Sequence, residues 1–377
     1  MLINVDKGNL LKSLLIADSI ISSKSINTIL ANCLFNITRE EIEIISTDNE
    51  IAIRTKVDAI NDSTGSFTAN GKKFTSILKE LPDDELIIKI NDTLQIDIKT
   101  KSGKLKGHYT LIGTSSEEYP EIPGFYNENS ITIDQQLLKD TLKKVIYAAS
   151  TDSIKPVFNG VYLISEGKGK LTAVATDSRR LSIITKNIEQ NIDLNEGVII
   201  PLKTVHEIFR LLETTGTCTF AIHDNRFFFK IGKTEVISRI VDGQFPNYKQ
   251  VIPKDYILEA VLDPKQLLES IRRAMIFTRE PANKIVMHFN NESLLIEAKT
   301  PELGEAEEEI PITTKSTEKI SLGINAQFLI DSLREIESAS IVCGITGQMS
   351  PVSLIPEEDR NHISVIMPIQ IKSQHTD

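Results

Sequence analysis

The sequence predicts an α+β protein made of three tandem copies of one domain, each with two helices packed against antiparallel sheet. Three observations lead to this fold class: a strand–turn–helix segment that occurs three times, a second amphipathic helix that occurs three times, and ladders of alternating apolar and polar residues after the second helices. Each copy is about 125 residues long, whereas solenoid repeats run to roughly 20–45 residues. The copies are therefore predicted to be whole domains.

The first helix of each copy carries a pair of leucines at a matching position. The pairs are Leu10-Leu11, Leu137-Leu138 and Leu267-Leu268, and successive pairs are offset by 127 and 130 residues. A short apolar strand precedes each of these helices. Three similar segments in tandem are unlikely to arise by chance, so they indicate an internal repeat.

The second helix of each copy is marked by three apolar residues spaced i, i+4, i+7, which lie on one face of a helix. The sets are Phe74, Leu78 and Leu81; Val205, Phe209 and Leu212; and Leu329, Leu333 and Ile336. β stretches lie between the two helices, and a Thr-Asp pair recurs within the first two copies, at Thr47-Asp48 and Thr176-Asp177. The third copy has Thr300-Pro301 at that place.

The domain boundaries are predicted from two proline-bearing segments, Tyr119–Asn129 and Phe245–Tyr256, each of which follows a ladder of alternating residues. They divide the chain into domains at 1–124, 125–254 and 255–377.

The composition is that of a folded protein, with 377 residues, 40% of them hydrophobic and 25% charged. Tryptophan is absent, so aliphatic side chains must fill the cores. The cysteines Cys33, Cys218 and Cys343 stand far apart, without zinc-ligand spacing, and so sparse a set suits a reducing cytoplasm. We expect no signal peptide, no membrane partner and no membrane-spanning segment, because no apolar run reaches the required length.

The positive charge is concentrated in the predicted helices. The net charge of the chain is -10, yet the six helices together carry about +6, which leaves about -16 on the rest. Basic helices in an acidic protein favour one surface that faces phosphate. The alternative is that Lys and Arg, as good helix formers, simply cover solvated faces. No base-reading motif occurs, so any nucleic-acid contact is predicted to be with the backbone, independent of sequence.

No catalytic, cofactor or metal motif is present. Walker A, GxGxxG, HExxH and GxSxG patterns are all missing, and the six histidines are scattered. Thr176 to Arg180 combines Ser, Asp and Arg but has no nearby base for a nucleophile. The sequence therefore predicts no enzyme and neither a cofactor nor a metal ion.

Four local segments add a family resemblance. Phe158–Leu163 followed by Ala173–Ser182, then Phe245–Pro253, and finally Ser364–Ile371 are similar to signature segments of the bacterial sliding clamps, the β subunits of DNA polymerase III. The resemblance covers the whole chain in order. It implies the DNA clamp fold and a head-to-tail homodimer closed into a ring, with helices lining a hole that encloses duplex DNA. It also implies partners: a clamp loader, and replicative and repair polymerases that bind through short peptides.

The resemblance places a partner-peptide pocket between the second and third domains. Carried over position by position, its residues are Thr176, Arg180, Leu181, Pro246, Val251, Val365, Met367 and Pro368. An apolar groove with few polar groups suits peptide recognition, although plain core packing is the alternative for Val251, Val365 and Met367. Four positions depart from the family pattern and leave the peptide preference open: Ser178, Arg179, Gln250 and Ala282. The chain also continues past the usual ending with Lys372–Asp377, a polar segment expected to be mobile.

Two further surfaces follow from the resemblance. Lys24 and Lys155 match basic positions for DNA, with weaker candidates on the helices at Lys72, Lys73, Lys139, Lys143 and Arg210. Ring closure would bring Tyr109 and Leu111 of the first domain against Ile276 and Phe277 of the third. Two rival functions stay open on the residues alone: a three-domain scaffold without DNA enclosure, and an enzyme with a site between domains.

Overall fold

The computed structural model describes residues 1–21, 28–103, 107–152, 154–165, 167, 169–190, 194 and 196–371. The chain forms two compact units, Met1–Gln135 with His206–Ile240, and Gln136–Val205 with Val241–Asp377. The central third of the sequence therefore contributes to both units.

Six α-helices lie within the described residues, in the three pairs that the sequence predicts. They are α1 (Lys7–Asp18), α2 (Gly71–Glu80), α3 (Gln135–Ile146), α4 (Leu202–Leu211), α5 (Pro264–Met275) and α6 (Ala326–Arg334). Short 3-10 turns span Thr28–Ala31, Pro156–Phe158 and Tyr248–Gln250.

The sequence explains where several of these helices begin. Asp6, Asn70, Asp263 and Asn325 stand just before α1, α2, α5 and α6, and each side chain accepts a hydrogen bond from a backbone N–H of the first turn. Such caps satisfy donors that have no partner inside the helix.

The first unit contains two antiparallel sheets. The five-stranded sheet runs in the order Ile60–Asn61, Leu2–Asp6, Glu85–Ile90, Gln95–Thr100 and Tyr109–Ile112. The eight-stranded sheet runs in the order Ile131–Asp134, Thr217–His223, Arg226–Ile231, Thr234–Arg239, Ile51–Asp58, Glu41–Thr47, Asn32–Ile37 and Gly65–Asn70. Helices α1 and α2 pack on a core of aliphatic side chains around three buried phenylalanines, Phe35, Phe67 and Phe74.

The second unit has the same plan. Its nine-stranded sheet runs in the order Val198–Pro201, Gly160–Ile164, Lys170–Thr176, Arg180–Asn187, His362–Ile366, Val352–Pro356, Ile341–Ile345, Leu258–Leu262 and Thr313–Thr314. Its four-stranded sheet runs in the order Gly304–Pro311, Ser293–Thr300, Lys284–Phe289 and Ile320–Asn325. Helices α5 and α6 cover a core that is almost wholly aliphatic, as the absence of tryptophan predicts.

Each large sheet joins strands from two copies of the repeat. In the first unit Thr234–Arg239 pairs with Ile51–Asp58, with Val236 opposite Ile53. In the second unit Arg180–Asn187 pairs with His362–Ile366, with Leu181 opposite Val365. Neighbouring copies are therefore bound to each other by backbone hydrogen bonds as well as by side chains.

Candidate peptide groove and nucleic-acid surface

The hairpin turn that begins at Thr176 is held by its own side chains. Thr176 Oγ1 donates to the carbonyl of Arg180 at 2.6 Å, and Asp177 Oδ1 accepts from the N–H groups of Arg179 and Arg180 at 2.9 Å each. Ser178 adopts φ 73°, the left-handed region that favours glycine. Glycine would adopt this angle without the strain that the Cβ of Ser178 incurs.

Arg180 links this turn to helix α6. Its Nε donates to Asp177 Oδ2 at 3.1 Å, and its terminal nitrogen donates to Asp331 Oδ2 at 2.5 Å. The guanidinium also lies 4.6 Å from the ring centroid of Phe328 and 5.6 Å from that of Tyr147. Because the Arg180 side chain is only 12% exposed, these contacts replace most of its hydration.

Leu181 and Val365 form the floor beside the turn. They face each other across paired strands and belong to one buried apolar cluster with Phe245 and Tyr248. Phe245 stacks on Tyr162 with ring centroids 4.7 Å apart. The segment that contains Pro246 and Val251 is thus fixed to the sheet by its own aromatic residues.

The four other apolar residues of the predicted pocket reach the surface to different extents. Val251 is 42% exposed and Met367 is 39% exposed, while Pro246 is exposed and Pro368 half-buried. The N–H of Met367 donates to the carbonyl of Arg179 at 2.8 Å, which sets the strand end against the turn. Of the eight predicted residues, Val251 lines an open groove of about 640 Å³, together with residues 247, 249, 250, 252–255, 346, 350 and 351.

The eight predicted pocket residues therefore separate into two groups. Thr176, Leu181 and Val365 are buried and form the frame, as the core-packing alternative requires for Val365. The others reach the surface or its edge. We call the predicted set the peptide groove, after the role that the resemblance implies: Thr176, Arg180, Leu181, Pro246, Val251, Val365, Met367 and Pro368. Sequence reasoning missed Phe328 and Asp331, since only tertiary contact with Arg180 reveals them.

The predicted DNA-binding residues lie in different environments. Lys72 and Lys73 are exposed on α2, and Lys155 is exposed with its Nζ 5.6 Å from the ring centroid of Phe158. Lys139 on α3 is half-buried, and Lys24 lies outside the described residues.

Two of the weaker candidates are engaged by acidic neighbours. Lys143 lies 3.1 Å from Glu337 and 3.7 Å from Glu335, and the hydrogen bond to Glu337 raises the pKa of the lysine. Arg210 pairs with Glu207 at 2.7 Å. Their charge is already partly neutralised, which makes them weaker ligands for phosphate.

The candidate end surfaces differ in how much apolar area they offer. On the edge strand Tyr109–Ile112, Leu111 points into the core and Tyr109 packs beside it, whereas Ile112 is 66% exposed. At the end of α5, Ile276 is 71% exposed. Phe277 packs partly on the core, and its carbonyl accepts from Thr300 Oγ1 at 2.7 Å. Ile112, which was not predicted from the sequence, is the exposed apolar side chain of this strand.

The described residues were searched for metal-ligand clusters and for membrane-spanning helices. Among the described residues, no group of three or more His, Cys, Asp or Glu side chains is arranged to hold a metal ion. Likewise, no helix in the described part of the chain is long and apolar enough to span a membrane.

Three repeated helix pairs on antiparallel sheets that run from copy to copy define the class of protein: a three-domain clamp fold. Family models of the DNA polymerase III beta subunit match along the chain, the N-terminal domain at residues 1–123, the central domain at 132–247 and the C-terminal domain at 249–370. The chain belongs to the DNA polymerase III beta subunit family.

Individual relatives agree. The beta sliding clamp of Halalkalibacterium halodurans is 28% identical over 363 residues, which cover 93% of this chain and 94% of that protein. The beta sliding clamp of Staphylococcus aureus is 26% identical over the same shares. The crystal structure of the Bacillus subtilis DNA polymerase sliding clamp superposes with a TM-score of 0.93 at 24% identity, covering 98% of this chain and 99% of that one. Members of this family are non-enzymatic processivity factors, and the chain has a sliding clamp's role in DNA replication.

Proposed function

We propose that two copies of this chain close head to tail into a ring around duplex DNA and tether polymerases and other replication proteins to it. The observation that carries the proposal is the threefold helix pair on antiparallel sheet, matched in order by all three domains of the family. We take the domains as 1–124, 125–254 and 255–377. Binding is topological, because a closed ring holds DNA by enclosure rather than by affinity.

DNA is attracted through its phosphates. Lys24 and Lys155 are the principal contacts, and the helix residues Lys72, Lys73, Lys139, Lys143 and Arg210 contribute less. Support comes from the exposure of Lys72, Lys73 and Lys155 in a chain whose net charge is -10. Contacts of this kind are independent of sequence and weaken with salt, which suits a ring that slides.

Ring closure joins two sheet edges. Tyr109–Ile112 is the last strand of the five-stranded sheet, and Gly304–Pro311 is the last strand of the four-stranded sheet. An edge strand presents unpaired backbone groups that a second chain can complete. The apolar residues Tyr109 and Leu111 on one side and Ile276 and Phe277 on the other would frame this contact, and Ile112 belongs with them.

Partner proteins bind by a short peptide in the peptide groove. Val251 and Met367 offer exposed apolar surface, and Arg180 fixes the turn that forms one wall. Apolar side chains of an extended peptide would pack between them, and the remaining polar groups would orient its backbone. The partners are the clamp loader and the replicative and repair polymerases.

The site of action is the cytoplasm. Cys33, Cys218 and Cys343 are all buried free thiols. Burial raises the pKa of Cys218 and of Cys343 to about 12, so neither forms the reactive thiolate readily. Unpaired cysteines of this kind suit a reducing compartment.

The test uses purified protein and its clamp loader on nicked circular plasmid, with sizing before and after linearisation. Retention on the circle followed by release from the linear form is the expected result. Equal retention on both forms, or none on either while the loader is active, would replace enclosure with ordinary binding or with a scaffold role.

A further inference from the structure

The first unit contains a turn with the same construction as the one at Thr176. Thr47 Oγ1 donates to the carbonyl of Ile51 at 2.9 Å, and Asp48 Oδ1 accepts from the N–H groups of Glu50 and Ile51 at 2.9 Å each. Asn49 adopts φ 77°, close to the angle of Ser178. The recurring Thr-Asp pair in the sequence therefore builds the same wall in both units.

The neighbouring strand is also placed in the same way. The N–H of Arg239 donates to the carbonyl of Glu50 at 3.1 Å, as the N–H of Met367 does to Arg179 at 2.8 Å. Pro120 follows the buried Tyr119, as Pro246 of the peptide groove follows the buried Phe245. Turn, strand end and proline-bearing segment together reproduce the frame of the peptide groove.

A groove of about 290 Å³ occupies this frame, and we name it the Arg239 groove. It is lined by Glu50, Pro120, Arg226, Ser238 and Arg239, together with residues 47, 49, 51, 52, 121–123 and 237. Its chemistry differs from that of the peptide groove, because Arg239 stands where Met367 stands there. The Arg239 groove therefore has charged side chains on its lining, the guanidiniums of Arg226 and Arg239 and the carboxylates of Glu50 and Glu121.

Two arginines line the Arg239 groove. Arg226 and Arg239 lie directly opposite each other on paired strands, so their side chains leave the same face of the sheet. Neither guanidinium makes a hydrogen bond or an ion pair with any described residue. This includes the carboxylates of Glu50 and Glu121, which also line the groove. Like charges directly opposite are unfavourable, and an anionic ligand would relieve them.

We propose that the Arg239 groove binds an extended acidic peptide of a partner protein, with a carboxylate held between Arg226 and Arg239. The guanidinium fork matches a carboxylate in geometry and charge, and an extended backbone suits a frame shared with the peptide groove. This second contact site goes beyond the proposed function, since it requires neither DNA nor ring closure.

The test is fluorescence anisotropy with the full-length protein and a labelled hexapeptide of alternating glutamate and alanine. We expect the acidic peptide to bind, and the lysine–alanine counterpart not to bind. The double variant R226A/R239A is expected to lose at least tenfold in affinity, and R226K/R239K to lose less, because charge remains without the fork. Arg360→Ala, at an exposed arginine outside both grooves, should leave binding unchanged.

Three outcomes would overturn the proposal. The first is that the unaltered protein does not bind the acidic peptide. The second is that R226A/R239A binds it equally well while its unfolding curve shows that the variant is folded. The third is that a single-stranded oligothymidylate binds more tightly and depends on the arginines, which would assign the groove to nucleic acid. Loading of R226A/R239A onto circular DNA measures the clamp function separately. Failure of one proposal is therefore distinguishable from failure of the other.

Discussion

The guanidinium of Arg180 and the carboxylate of Asp331, 2.5 Å apart, connect the hairpin of one repeat to the helix of the next. Both side chains are largely buried, at 12% and 20% exposure. Removing the Asp331 carboxylate leaves the buried guanidinium of Arg180 desolvated without this hydrogen-bond partner, which costs free energy. Asp331→Ala should therefore lower the free energy of unfolding by about 1–3 kcal/mol. Urea unfolding measures this change.

The same experiment separates the ion pair from simple packing. Arg180→Met keeps the packing contact with Phe328 but removes the ion pair with Asp331. The double variant R180M/D331A should therefore lose less free energy of unfolding than the sum of the losses in the two single variants. Additive losses would mean that Arg180 and Asp331 do not interact energetically.

Met367 is the residue whose truncation should most directly weaken partner binding. It is exposed on the rim of the peptide groove while its backbone is fixed by the bond to Arg179. We expect Met367→Ala to reduce affinity for a polymerase-derived clamp-binding peptide about tenfold, the effect of removing a well-packed apolar contact. Anisotropy with the labelled peptide gives the dissociation constant. Ile257→Ala, at an exposed apolar residue outside the groove, is the control; equal losses in both variants would contradict the assignment.

Ring closure is tested by placing a charge on an apolar end. Ile276 is 71% exposed, so Ile276→Asp should leave the fold intact while introducing an unpaired carboxylate into the dimer contact. Ile112→Asp tests the opposite end in the same way. Both variants should sediment as monomers at concentrations where the unaltered chain is a dimer. Ile154→Asp, at an 80% exposed isoleucine, should remain dimeric, and monomeric behaviour of this control would show that the effect is not specific to the ends.

The helices and their order follow from the sequence because helical periodicity is a local property. The apolar sets ending at Leu81, Leu212 and Ile336 each marked a real helix, although each of these helices ends one or two residues before the last apolar residue. The joining of neighbouring copies through Val236–Ile53 and Leu181–Val365 was not predicted, since the choice of strand partner depends on contacts far apart in sequence.

The candidate sites were predicted unevenly, for a related reason. Alternation in a strand shows that two faces differ, but a shift of one residue exchanges them. The resemblance named Leu111 for an end surface; in the structure its side chain is 9% exposed, whereas that of Ile112 is 66% exposed. The partners of Arg180 on α6 were also beyond reach, because nothing in the local pattern brings residues 180 and 331 together.

The turn at Ser178 predicts a gain in stability on replacement by glycine. Ser178 holds φ 73°, where a Cβ is strained and glycine is not. Ser178→Gly should therefore raise the free energy of unfolding by about 0.5–1 kcal/mol, after allowance for the greater freedom of glycine in the unfolded chain. Asn49→Gly, at φ 77°, should gain less because asparagine tolerates this region. Urea unfolding decides, and a loss at Ser178 would show that its side chain stabilises the turn.

His362 should make the second unit sensitive to acid. It is fully buried, with Nε2 3.3 Å from Ser182 Oγ, and the groups around it are Lys144, Asp359 and Lys186. Burial, reinforced by the two lysines, lowers the pKa of His362 from 6.5 to about 4. Between pH 6.5 and pH 4 the unfolded chain binds a proton at His362 that the folded chain does not bind. The contribution of the neutral His362 to stability is therefore complete above pH 6.5 and is lost progressively as the pH falls towards 4.

The loss attributable to His362 should amount to about 3 kcal/mol at pH 4, in keeping with about 1.4 kcal/mol for each unit of pKa difference. Urea unfolding of the unaltered protein and His362→Gln, measured from pH 4 to pH 7, isolates this contribution, because the carboxylates titrate equally in both. The variant should show the shallower dependence on pH. His206→Gln, at an exposed histidine of α4, should keep the slope of the unaltered protein. Identical slopes in the unaltered protein and His362→Gln would mean that this imidazole titrates alike in the folded and unfolded chain.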